Sequence, residues 1–175
     1  MFKEQDQKTV TVSDYRKGIA QDLFTSMLNN RLTELSKKPS PPFLFAGTDF
    51  GKMVRNRYVY EGTAVCKEDG IDSALIVLIN ENERVRRFGF TKTELERVKS
   101  EFLSRFEEQF KEKDKSESRD FAREYVSNFL TVEPMPGIEY ENAMAKKFIP
   151  GITLEEVNAF AKQWITDGKN AVVVI

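Results

Sequence analysis

The sequence predicts a two-layer α+β domain, an antiparallel sheet with several helices packed on one face. Three observations carry that expectation. Two β-rich runs, residues 43–50 and 58–66, lie close enough in sequence to pair antiparallel. A further β-branched run closes the chain at 171–175. Six segments carry apolar residues at helical spacing, too many to alternate one for one with so few strands.

Ser13 or Asp14 is the expected cap of a first helix reaching about Lys37, with Ile19, Leu23, Met27, Ala20, Phe24 and Leu28 recurring four apart. Pro39, Pro41 and Pro42 stop it. The first β run is expected to break at Gly51, and the second to end at the Asp69-Gly70 turn signal. A helix over 71–88 then buries Ile71, Leu75, Leu78 and Ile79, and Gly89 ends it. Thr91-x-x-Glu94 is a capping box, each side chain satisfying a free backbone donor at the start of the next helix. Leu95, Val98, Phe102, Phe106 and Phe110 form its stripe, expected to pack on the sheet. Phe121, Tyr125 and Phe129 mark another helix, closed by Pro134 and Pro136, and residues 138–148 a short one. Thr153-x-x-Glu156 is a second capping box, opening a helix with Leu154, Val157, Ala161 and Trp164. Gly168 ends that helix and leads into the last strand, 171–175, a buried-strand pattern.

With 175 residues, 40% of them hydrophobic, the chain has the size of one domain with its own core. Lys+Arg 27 against Asp+Glu 28 leaves a net charge of −1, which implies no nucleic-acid surface. No apolar run is long enough to span a membrane. The chain has no histidine and one cysteine. That leaves no histidine base, no Ser-His-Asp or Cys-His nucleophile and no zinc cluster within it. No catalytic residue and no metal ligand is assigned, and no substrate-binding residue stands out.

The remaining polar features have plain structural accounts. Glu155-Glu156, Glu107-Glu108 and Glu94-x-Glu96 belong to helix first turns and polar faces, where they complement the helix dipole. Arg84, Arg86, Arg87 and Lys92 interleave with Glu81 and Glu83 as a solvated face. Gly47 and Gly51 flank Thr48-Asp49-Phe50 without a phosphate-loop pattern. The segment from Gly51 to Tyr58, with Lys52, Arg55 and Arg57, reads as a polar hairpin connection beside a strand edge that an extended peptide could join. Cys66 has no histidine to activate it and reads as a structural thiol.

Several stretches are nevertheless distinctive together. They are Tyr15-Arg16, then Met27-Leu28-Asn29-Asn30-Arg31-Leu32-x-Glu34-Leu35, then Pro41-Pro42-Phe43-Leu44-Phe45-Ala46. Further on come Glu83-Arg84-Val85-Arg86-Arg87-Phe88-Gly89-Phe90-Thr91, Glu124-Tyr125-Val126-x-Asn128-Phe129-Leu130, Pro136-Gly137-Ile138-Glu139-Tyr140-Glu141 and Pro150-Gly151-Ile152-Thr153-Leu154. From about residue 10 to 175 the chain resembles bacterial pitrilysin/insulysin-type zinc metallopeptidases, in the second half-domain of the catalytic unit. The resemblance implies the half-domain fold of mitochondrial-processing-peptidase-like proteins. In that family the first half carries the inverted H-x-x-E-H zinc motif and a further glutamate ligand, and the second half carries no ligand.

The resemblance therefore implies a non-catalytic half that walls the substrate chamber. Zinc, with its bound water and a glutamate base, belongs to the parent protein. Its partners would be the upstream catalytic half and a peptide or protein substrate, and bacterial relatives suggest an envelope or periplasmic location. Residues 1–175 are expected to form one domain excised from a longer peptidase, with Met1-Phe2-Lys3 the tail of a first strand. An open sheet edge would then favour self-association. Some relatives hold substrate backbone with an arginine and a tyrosine, but the spacing of Arg55, Arg57 and Tyr58 does not match. The alternative is a stand-alone domain that binds a peptide or protein at a sheet edge, without peptidase activity.

Overall fold

The structure is a computed structural model and describes residues 2–5, 11–54, 57–115, 117–131, 134–166 and 171–175. The chain opens with β1 (Phe2–Gln5), α1 (Val12–Ser36), β2 (Phe45–Val54) and β3 (Arg57–Val65). Five more helices follow: α2 (Ile71–Phe88), α3 (Lys92–Lys111), α4 (Ser118–Thr131), α5 (Ile138–Phe148) and α6 (Leu154–Trp164). Short 3-10 turns lie at Glu68–Gly70, Lys113–Lys115 and Ile149–Gly151.

The sheet has the order β1-β3-β2, with both pairings antiparallel. The two expected β runs pair as anticipated, from Phe45↔Val65 to Lys52↔Tyr58. Gly51 does not end the first of them. It sits opposite Val59 within the ladder, and the register slips only between Lys52 and Val54. A ladder residue needs only its backbone groups, so the missing side chain weakens the strand without stopping it. The N-terminal strand is longer than the three-residue tail expected, and pairs Phe2↔Tyr60 through Gln5↔Arg57.

α1 is the central element. Leu23, Phe24, Met27, Leu28 and Leu32 are sealed from solvent, and its buried residues lie around much of the helix rather than along one stripe. It lies along β2 and also packs on α3 and α6, while α2 meets β3 and α6 meets β1. α3 packs on α1 and α5, not on the sheet as its stripe suggested. α1 already occupies that side, so Leu95, Val98 and Phe102 bury against helices instead. Phe106 packs at the margin of the core, and Phe110 is partly exposed beneath the Lys113 ammonium.

Three further sequence expectations need correction. The cap of α1 is Thr11, whose hydroxyl accepts from the Asp14 N–H while Asp14 accepts from the Thr11 N–H. The buried face of α2 is Ala74, Leu78 and Val85, and Ile71 and Ile79 are exposed, because the helix is rotated toward β3 and α6. The 171–175 run is not a buried strand. Ala171 makes an isolated bridge, and Val172, Val173, Val174 and Ile175 are exposed. A β-branched run favours extended backbone, but that local preference does not by itself bury the side chains. Gly168 lies outside the described residues.

Candidate functional site

Two loop-to-helix junctions are built alike and are gripped by the same helix. Gly89-Phe90-Thr91-x-x-Glu94 enters α3, and Gly151-Ile152-Thr153-x-x-Glu156 enters α6. In each, the threonine hydroxyl accepts from the glutamate N–H and the carboxylate accepts from the threonine N–H. The residue between glycine and threonine, Phe90 or Ile152, is buried. α1 then supplies an arginine to each. Arg31 donates to both Glu94 oxygens at 2.6 and 3.0 Å and to the Gly89 carbonyl at 3.3 Å. Arg16 donates to both Glu156 oxygens at 2.7 and 3.0 Å and to the Gly151 carbonyl at 3.2 Å.

The electrostatics follow from that geometry. Burial pushes the Glu94 carboxyl up, but hydrogen bonds from Arg31 and Thr91 and the Arg31 charge outweigh it and hold it at about 2. Arg16 likewise lowers Glu156 and is itself raised by that carboxylate. Fork-to-carboxylate pairing of this kind fixes direction as well as distance. Asn158 of α6 adds a cross-tie, its side-chain oxygen accepting from the Phe90 N–H at 2.8 Å. A groove of about 340 Å³ opens beside the first junction, lined by Arg31, Glu34, Glu81, Arg84, Thr91 and Glu94. Arg31 Nη1 and Glu81 Oε2 are buried without a hydrogen-bond partner.

The other candidates are dispersed. Arg84 pairs with Glu81, and Arg86 and Arg87 both pair with Glu83, so the basic cluster is neutralised along α2 while Lys92 stands exposed. Glu96 pairs with Lys99 and Glu107 with Lys111 and Lys146, and Glu108 and Glu155 are exposed. Cys66 is half-buried. Arg55 lies outside the described residues, whereas Arg57 and Tyr58 open β3. Gly47 and Gly51 are ladder residues. The Thr48 between them turns its N–H and carbonyl to the Asn29 side chain, at 2.6 and 3.0 Å. Asn29 thus takes the hydrogen bonds that a peptide added at this point of the β2 edge would use.

No protein-family model matches the sequence. Over 153 residues the chain is 29% identical to a protein of Arabidopsis thaliana described as "Zinc protease PQQL-like". The chain is homologous to a PqqL-like zinc protease. That match takes in 87% of this chain but 13% of the plant protein. The fold agrees. The first half of the periplasmic protease PqqL from Escherichia coli superposes with a TM-score of 0.85 at 17% identity, over 97% of this chain and 36% of that one. A peptidase M16 inactive domain from Pseudomonas fluorescens superposes with a TM-score of 0.58 at 15% identity, over 94% of this chain and 37% of that one. The architecture is therefore that of M16 half-domains, and the chain spans about a third of these two solved structures.

The zinc implied by homology to a PqqL-like protease does not fit the residues here. The sequence holds no imidazole and a single thiol. Among the described residues no three of His, Cys, Asp or Glu are grouped to hold a metal ion. The two best-placed carboxylates are already committed to arginines, and zinc requires three or four unprotonated donors converging on one point. Both arginines and Asn29 escaped assignment at the level of sequence. The repeated Gly-x-Thr-x-x-Glu phrase was the available signal, with two arginines fifteen residues apart on α1, close to four helical turns.

Proposed function

We propose that this chain is the non-catalytic half-domain of a pitrilysin-like zinc metalloendopeptidase, walling the substrate chamber and supporting a catalytic half elsewhere in the same protein. One observation carries the reading: a chain homologous to a zinc protease over most of its length contains no histidine. The zinc-binding motif of such a peptidase needs two of them. The PqqL first half and the M16 inactive domain, which share the fold over about a third of their length, support a half-domain role within a larger unit. In this reading zinc and its bound water reside in the catalytic half, and this chain contributes shape and support. Residues 1–175 then form one α+β unit whose partners are that half and a peptide or protein substrate. The Escherichia coli relative is described as periplasmic, which supports an envelope location.

The test begins with the gene. The coding sequence upstream of Met1 is expected to encode H-x-x-E-H, and its longer product to bind zinc and cleave a fluorogenic peptide. The 175-residue chain alone is expected to do neither. An upstream sequence without the motif, or turnover that survives repurification of this chain, would overturn the proposal.

A further inference from the structure

Among the described residues, α4 differs from the other helices in what it does with its apolar residues. Phe121, Tyr125 and Phe129 recur four apart, with Ala122, Val126 and Leu130 directly beside them. The result is a continuous band two residues wide along one side of the helix. None of them is buried, and Phe129 is 85% exposed. The other five helices each bury residues in the common core. A band of this size facing water is the mark of a surface meant to be covered.

From this band we propose that α4 is the seat on which the catalytic half of the same protein rests, an inference that builds on the function proposed above. The charges of the segment point to an apolar occupant. Arg123 pairs with Asp120 and Arg119 with Glu117, so the cations that could draw in an acidic partner are matched locally. The amount of chain in the relatives points to an occupant in cis. The solved first half of PqqL carries this fold in 36% of its length, so nearly two thirds of that chain is available to cover its faces. One competing apolar surface is the outer face of the sheet, with Phe45, Met53 and Val65 exposed. Asp49, Glu61 and Thr63 interrupt it, whereas the α4 band is unbroken.

Thiol labelling tests the assignment. In a Cys66→Ser background, Phe129→Cys places one thiol on the band, and Phe45→Cys places one on the outer sheet face for comparison. In the 175-residue chain the Phe129→Cys thiol is expected to react as fast as a free thiol. In the longer gene product it is expected to react at least about tenfold more slowly, as a covered site does. Equal reactivity in a longer product that binds zinc and cleaves peptide overturns the inference and leaves the functional reading standing. A longer product without zinc motif or activity overturns both. Protection that appears in the short chain as its concentration is raised would assign the band to a second copy and overturn the cis assignment. The double variant Phe121→Asp, Phe129→Asp supplies an independent readout. It is expected to leave the melting temperature of the short chain unchanged and to lower that of the longer product, and no change in either overturns the proposal.

Discussion

Arg31 and Glu94 are joined by two hydrogen bonds of 2.6 and 3.0 Å, from the C-terminal part of the central helix to the first turn of α3. The carboxylate is simultaneously the reciprocal half of the α3 capping box. Both side chains are largely buried, 14% and 20% exposed, so the pair is shielded from the screening that weakens surface ion pairs. The bond therefore ties together a helix start, a tight loop and the core.

Acid should weaken this tie only at low pH. The Glu94 carboxyl, at about 2 in the folded chain, lies below its ordinary value of 4.5, so folding binds the deprotonated form more tightly. Its stabilisation is then complete above about pH 4.5 and is lost as pH falls toward 2, a contribution on the order of 2–3 kcal/mol. Between pH 7 and pH 3, urea unfolding should show the larger part of that loss, with a smaller drop for Glu94→Gln than for the native chain. Arg31→Met should cost about 3 kcal/mol at pH 7 by stranding the buried carboxylate.

Gly89→Ala should destabilise the chain strongly. Gly89 has φ +70°, and a Cβ there would lie 2.6 Å from Asn158 Nδ2, the side chain that holds the Phe90 N–H. A loss above about 2 kcal/mol is expected from the backbone strain and the displaced Asn158 together. Gly151→Ala, with nothing within 4 Å of the added carbon, is the control and should melt near the parent temperature.

Asn29→Ala should cost about 1–3 kcal/mol, because the Thr48 N–H and carbonyl lose their partner at the margin of the core. Amide hydrogen exchange at Thr48 should accelerate in the variant. Unchanged protection there would show that the β2 edge is held by something other than α1.

The α3 stripe should give a graded response. Phe102, 5% exposed, should lose about 3–5 kcal/mol on truncation to Ala. Phe110, partly exposed under Lys113, should lose about 1 kcal/mol on the same change. Thermal melts of the two single variants measure the contrast directly.

Metal analysis of the dialysed chain should find far less than one zinc per molecule. The donors named above offer no converging set, and a stoichiometric, chelator-resistant zinc would show that one had been overlooked.

Local signals wrote most of this fold into the sequence. The capping boxes at Thr91 and Thr153 begin their helices as expected, and the two β runs pair with each other. Each of those features is decided within a few residues by backbone donors, caps or alternation. Orientation was harder to read. The apolar stripe of α3 looks the same whether it meets a sheet or a helix, and only the position of α1 decides between them. The Arg16 and Arg31 contacts span 140 and 63 residues, so no window of sequence contains both partners. The 171–175 run shows the converse, a strong local preference for extended backbone that yields a single bridge and exposed side chains rather than a buried strand.

Trp164 is the single tryptophan of the chain. Its ring lies flat on Phe50 of β2, 4.3 Å between centroids and 7° from parallel, with Phe160 and Tyr60 also stacked and Phe24 edge-on. The indole sits where α6 closes on the sheet, and the rings stacked on it belong to β2, β3 and α6 rather than to α3 or α5. Its fluorescence is consequently an optical gauge of one joint rather than of the whole molecule. A red shift of emission signals α6 lifting from the sheet, and loss of helical circular dichroism at a different denaturant concentration would show the remaining helices parting on their own schedule.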